Sequence, residues 1–143
     1  MHQTIVCDVT KPNSLTSVND ESVDVIMMVF VLSAVSPKLF SDFLSESLKK
    51  LRVGGMVFFR DYGLYDLPML RFKRHNHLSG RTFKRSDGTL STFFTVEQID
   101  EMFIAQNLSP SKSNGFACVE NVNRKTGASL KRVFVSASFT KKE

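Results

Sequence analysis

The 143-residue chain, 16.1 kDa with 42% apolar and 23% charged residues, has the size and composition of one globular domain rather than a disordered segment. Its longest apolar run, Val25 to Leu32, falls short of the roughly 20 residues a membrane helix needs, and no basic-then-apolar signal suggests secretion. Nineteen basic against fourteen acidic residues leave a net charge of +5, which suits a polyanionic partner such as RNA.

In chain order, Thr4 to Cys7 is a short apolar run, read as a strand ending at Asp8. Lys11-Pro12-Asn13-Ser14 is turn chemistry. Val23 to Leu32 is a continuous, β-branched apolar run, the pattern of a strand covered on both faces in a parallel sheet. Ser36-Pro37 opens a helix as N-cap and first helical residue. Leu39, Phe40, Phe43, Leu44, Leu48 and Leu51 form its apolar stripe, with Lys49, Lys50 and Arg52 in the last turn and Gly54-Gly55 as the stop. Met56 to Phe59 is the next strand, which completes a β-α-β unit.

Residues 63–93 lack a clean period and interleave Arg71, Lys73, Arg74, Arg81, Lys84 and Arg85 with Tyr65, Phe72 and Phe83. Cations for phosphates and rings for unstacked bases read as an RNA-facing insertion; a solvated loop is the alternative. Thr95 to Gln98 is a capping box that starts a helix running to about Asn107. Phe116 to Val122 and Leu130 to Thr140 are strands of an antiparallel hairpin joined by the turn-rich Asn123 to Ala128. Cys7 and Cys118 are too few for a disulfide framework and have no zinc spacing, so both are expected as reduced, mostly buried thiols of an intracellular protein. His75 and His77 stand without a third ligand, and no metal is expected.

The resulting expectation is an open α/β sheet closed by an antiparallel pair, with its ligand at the carboxyl ends of the strands. Asp8 then either accepts a hydrogen bond from a nucleoside or simply forms a turn. Arg60-Asp61-Tyr62-Gly63 either meets a base edge or hides an Arg60–Asp61 ion pair under a loop.

These strings, in order, carry a resemblance. Cys7-Asp8-Val9-Thr10-Lys11, the run Ser22 to Val35, Phe58 to Asp66, Leu70-Arg71-Phe72-Lys73, Asp87-Gly88-Thr89, Phe93-Phe94-Thr95, Asn121 to Lys125 and Lys131-Arg132-Val133-Phe134 resemble the methyltransferase-like tRNA 3-methylcytidine methyltransferases. These belong to the class I S-adenosylmethionine enzymes. The resemblance implies an incomplete Rossmann-like class I fold, strands three to seven with the closing hairpin. Residues 1–143 would be the C-terminal part of the domain, with the basic insertion at about 63–93. The first two strands and the glycine-rich loop belong to an N-terminal half that family members carry before the position of Met1.

The implied activity is methyl transfer from S-adenosylmethionine to N3 of an anticodon-loop cytidine in tRNA. The alternative is a non-catalytic RNA- or partner-binding module derived from that fold. Asp8 matches the cofactor carboxylate and Val29 an apolar position beside the cofactor. Asp61 and Tyr62 are the catalytic candidates, with Asp61 or Asp66 offered to the charge that develops on the base. Arg60, Tyr65, Asp66, Arg71, Lys73, Arg85 and Arg132 are the substrate-binding candidates. A seryl-tRNA synthetase is a further partner the resemblance suggests, and the cytoplasm the expected compartment, with nucleus and mitochondrion left open. A half-domain would also leave the inner edge of Val25 to Leu32 unpaired, an aggregation hazard.

Overall fold

A computed structural model describes residues 3–143. The main sheet begins with β1 (Val23–Val29), followed by α1 (Phe40–Leu48) and β2 (Leu51–Tyr62), which runs parallel to β1 with Ile26 opposite Val57 and Met28 opposite Phe59. After α2 (Leu67–Arg71) the insertion forms its own antiparallel sheet of β3 (His77–Ser79), β4 (Thr82–Lys84) and β5 (Leu90–Thr92). Then come α3 (Val96–Ile104), β6 (Leu108–Pro110), β7 (Gly115–Val122) and β8 (Ser129–Lys141). β8 pairs antiparallel with β2 on one side and with both β6 and β7 on the other. β6 and β7 are therefore one edge strand interrupted at Ser111–Asn114. Asn114 bridges the break: its Oδ1 accepts the Ser138 N–H at 2.8 Å and its Nδ2 donates to Asp100 at 2.8 Å. The order β1-β2-β8-β6/β7 is an open sheet closed by an antiparallel pair, as expected, without the strand expected at Thr4 to Cys7.

One face of the sheet carries the core. Met28, Val57, Phe59, Val135, Ala137 and Phe139 point to it and pack under Phe40, Phe43, Leu44 and Leu48 of α1 and Ile99 and Phe103 of α3. Phe103 and Phe139 stack at 4.3 Å, and Phe59 meets Phe103 and Phe94 edge-on. Fully burying each such side chain contributes about 1.5–3 kcal/mol, which is why two short helices suffice to hold this layer. The opposite face is open: Met27 is 70% exposed, Val25 47% and Phe58 42%. The run Val25 to Leu32 is thus covered on one face, not on both as its composition suggests.

Several boundaries move. α1 stops at Leu48 because Leu51 and Arg52 already belong to β2, and Gly54-Gly55 lies inside that strand rather than after the helix. Val23 pairs with Leu51 but Val25 with Met56, so β2 carries a bulge there, and Gly54 at φ +73 turns the chain through it. Pro37–Leu39 forms a 3-10 turn ahead of α1. The start of α3 is as expected, with the Thr95 hydroxyl accepting from the Gln98 N–H at 3.1 Å. The Gln98 side chain instead accepts from Arg81 at 2.8 Å and ties the insertion to the helix. Thr4 to Cys7 is not a strand but irregular, and among the described residues nothing pairs with it. A short strand has no stability without a neighbour to receive its N–H and C=O groups. Cys7 and Cys118 are both exposed, not buried: Cys7 sits in that irregular segment and Cys118 on the outer strand of the hairpin.

Candidate functional site

The carboxyl ends of β1 and β2 meet β8 and the insertion at Tyr62. Strand geometry sends successive side chains to opposite faces, so Arg60 and Tyr62 share the open side while Asp61 turns into the covered one. No Arg60–Asp61 ion pair forms for that reason. Arg60 donates to the Ser136 hydroxyl at 3.0 Å and lies 4.8 Å over the Phe134 ring. Tyr62 is packed by Phe30 at 5.1 Å, Phe93 at 5.9 Å and Phe134 at 6.4 Å. Two guanidinium groups close on it from other elements. Arg85, from the turn after β4, donates to the Tyr62 hydroxyl at 3.3 Å and to the buried Ser91 hydroxyl at 2.6 Å. Arg132 of β8 lies 5.8 Å from the Tyr62 ring and 5.1 Å from that of Phe134. Arg60, Tyr62, Arg85 and Arg132, distant in sequence, are therefore one cluster of cations and π-faces, which suits stacking on a planar ring and neutralising a phosphate.

Gly63 makes this approach possible. A Cβ there would sit 3.0 Å from Val133 Cγ1 and 3.2 Å from the Phe134 backbone, so any larger residue would have to push these neighbours back by a few tenths of an ångström. Its N–H donates to Val133 O at 2.9 Å.

The two carboxylates of the motif are engaged elsewhere. Asp66 is fully buried: Arg132 Nε and Nη2 reach its oxygens at 2.9 Å each, and the N–H groups of Val133 (2.8 Å) and Leu67 (3.0 Å) also donate to it. It caps α2 and clamps β8. The hydrogen bond to Asp66 raises the Arg132 pKa above its already high ordinary value. Asp61 is also sealed, with Oδ2 accepting the Ser33 N–H at 2.9 Å and Oδ1 the Tyr62 N–H at 2.9 Å. Both carboxylates, the groups expected to meet the developing charge, are buried in this structure.

Burial pushes the Asp61 carboxyl above its ordinary value, against the opposite pull of hydrogen bonds from Ser33, Tyr62 and Leu32. A folded-state pKa above the unfolded one means that this site opposes folding most at neutral pH. Its contribution improves as pH falls through the raised pKa towards the unfolded value of about 3.9. The melting-temperature difference between the protein and Asp61→Asn should therefore move in favour of the unsubstituted protein as pH falls from neutral towards the unfolded value of about 3.9. A difference independent of pH would mean that Asp61 titrates normally.

The remaining candidates are dispersed. Tyr65 is 66% exposed at φ 64, on the rim. Arg71 and Arg132 line a shared groove of about 370 Å³ with Phe72 and Leu130, and Lys73 is exposed beyond it. Asp8 is exposed ahead of β1, and Val29 is 43% exposed at the end of that strand. Reasoning from residue types missed Phe93 and Phe134, two of the rings that make Tyr62 a cluster; the third, Phe30, neighbours the strand-end candidate Val29. Phe30 was within reach, because it directly follows the strand end where a ligand is expected.

Compared with known proteins, the chain is 44% identical over 135 residues to the tRNA N(3)-cytidine methyltransferase METTL6 of Pongo abelii, covering 94% of this chain and 48% of that protein. It is 34% identical over 136 residues to the tRNA N(3)-cytidine methyltransferase METTL2 of Gallus gallus, covering 95% of this chain and 36% of that protein. The chain spans about half the length of the METTL6 relatives it matches. No protein-family profile matches it. Among solved structures, the Burkholderia thailandensis 1,6-didemethyltoxoflavin-N1-methyltransferase with bound S-adenosylhomocysteine superposes at a TM-score of 0.62. It is 14% identical and covers 96% of this chain and 49% of that one. That likeness concerns the fold.

The group these comparisons imply is S-adenosylmethionine, and the residues present fit its nucleoside end. Asp8 Oδ1 accepts from the Thr10 N–H at 3.0 Å and hydroxyl at 2.6 Å, leaving the second oxygen of an exposed carboxylate for a hydroxyl or amino donor. Those same hydrogen bonds hold its pKa below the ordinary value. The turn and the ligand roles weighed for Asp8 are thus compatible. Val29 offers an apolar surface. Among the described residues no glycine-rich turn faces them: Gly54 and Gly55 lie at the far end of β2.

Proposed function

We propose that this chain, which belongs to the family of the tRNA N(3)-cytidine methyltransferases by homology over 94% of its length, supplies the acceptor side of such an enzyme. In this reading it presents a tRNA-loop cytidine for methylation at N3. S-adenosylmethionine, when bound, supplies an electrophilic methyl group. Cytosine N3 keeps a lone pair at neutral pH, so no strong general base is needed, and the protein's task is to expose and orient the base. The observation that carries the reading is the Tyr62 cluster, four rings and three guanidinium groups at the carboxyl ends of β1 and β2. Asp8 and Val29 serve the cofactor in this reading. Arg60, Arg85 and Arg132 hold the phosphates nearest the base, while Arg71 and Lys73 extend the basic surface and Tyr65 offers a ring at its rim. Asp61 and Asp66 shape the site from within.

The test is tRNA binding by the 143-residue chain as a function of salt, with S-adenosylmethionine titrated separately by calorimetry. Affinity for tRNA should fall about 50-fold between about 50 and 200 mM salt, as for roughly four neutralised phosphates of a single strand. Combined Arg71→Glu and Lys73→Glu substitution should weaken binding and flatten that dependence. Absence of tRNA binding overturns the nucleic-acid reading. Tight tRNA binding with no cofactor heat makes the chain a binding module and assigns the cofactor role to a longer protein.

A further inference from the structure

We infer that Phe30 provides the stacking face for the acceptor base and that Asp61 is the positioning residue that holds it in place. The first part rests on the nucleic-acid reading above; the second does not.

Two costly features sit side by side. Phe30 has φ +54, a left-handed backbone that a residue with a bulky side chain adopts only under constraint. Asp61 is a fully buried carboxylate for which no ion pair forms among the described residues, although an arginine precedes it in sequence. A hydrogen-bond path joins them. The Phe30 N–H donates to Arg60 O at 2.8 Å, as the last rung beside β2. The chain then turns through Val31–Ala34, where Ala34 N–H donates to Val31 O at 3.1 Å, and in that turn the buried Ser33 N–H meets Asp61 Oδ2. Asp61 also receives the N–H of Tyr62, the residue whose ring packs on Phe30. One carboxylate therefore fixes both backbone segments that carry the ring pair.

The result is an aromatic surface with a defined pose. Phe30 lies 5.1 Å from Tyr62 with planes 32° apart and 5.5 Å edge-on to Phe134, yet remains 40% exposed. Three cations border the cluster. An accessible ring at a strand end beside guanidinium groups matches what an unstacked base needs: a π-face and a nearby charge for its phosphate. Without the Ser33–Asp61 bond the turn has no reason to keep Phe30 left-handed, and the ring would leave Tyr62.

The chain contains no tryptophan, so Phe30→Trp introduces a single emission reporter. In that background Asp61→Ala should shift the emission to the red and increase quenching by iodide. Asp61→Asn keeps an acceptor for the Ser33 N–H but sets its amide NH2 against the Tyr62 N–H, so it should fall between the parent and Asp61→Ala. Unchanged emission and quenching in Asp61→Ala overturn the positioning role. With an RNA stem-loop carrying an unpaired cytidine, Phe30→Ala should lower affinity about tenfold and Phe30→Tyr should preserve it, since one stacked base is worth that much. Asp61→Ala should match Phe30→Ala. Wild-type affinity in Phe30→Ala overturns the stacking role. If the unsubstituted chain binds no RNA, the nucleic-acid reading and the stacking role fall together, while the reporter alone decides Asp61.

Discussion

Asp66→Ala should destabilise the protein by about 3–5 kcal/mol, the cost of removing one partner from a buried ion pair. The carboxylate is 0% exposed and the Arg132 side chain 25%, so solvent does little to screen or replace the contact. Its loss leaves the guanidinium half-buried without a counter-charge, and the N–H groups of Leu67 and Val133 without acceptors. It also frees Arg132 from the face of Tyr62. The check is urea unfolding of Asp66→Ala, Arg132→Ala and the double variant. The double variant should cost clearly less than the sum of the two, because the second change removes the orphan that the first creates. A loss below about 1 kcal/mol for Asp66→Ala would mean that the pair behaves as a surface bridge.

The purified chain should associate as its concentration rises, and Met27→Lys should suppress this. β1 pairs with β2 alone among the described residues, so its other edge offers free N–H and C=O groups. The adjoining open face presents Val25, Met27, Met56 and Phe58 in register, Val25 beside Met56 and Met27 beside Phe58. Such a contiguous apolar surface beside an unpaired edge drives strand addition or face-to-face contact. A lysine at the 70% exposed Met27 position costs the fold within about 0.5 kcal/mol while placing a charge at the centre of the patch. Light scattering against concentration, with urea unfolding as control, checks both parts. A wild-type chain that stays monomeric throughout would mean that the open face is not adhesive.

The nucleic-acid proposal and the Phe30–Asp61 device stand on the same small region. Aromatic and cationic side chains from the end of β1, from β2, β8 and the insertion converge there, and Gly63 lets the chain pass β8 without a side chain in the way.

The amino-acid sequence by itself determined the local elements and the chemistry available. A β-branched run marked β1, the apolar run Met56 to Phe59 marked β2 and the closing hairpin marked β8; the three-and-four spacing marked α1 and α3, and Thr95 marked a helix start that its hydroxyl makes. Arg60 to Asp66 stood out as the string at a strand end where a ligand belongs. Periodicity could not assign the insertion, because its strands are three residues each and gain stability from Phe72 stacked on Phe83 and Phe83 edge-on to Phe93. β6 escaped for the same reason: three residues ending in proline become a strand only because β8 lies beside them. Thr4 to Cys7 failed in the opposite sense, apolar enough for a strand but without a neighbour. Only the tertiary structure decided which way each motif side chain points. The two-residue period of β2 puts Arg60 and Tyr62 on one side and Asp61 on the other, but which side is covered depends on where α1 and α3 pack. That packing turned Asp61 from a group facing a substrate into one holding a loop. It also gave Asp66 to Arg132, across a separation in sequence that no local pattern spans.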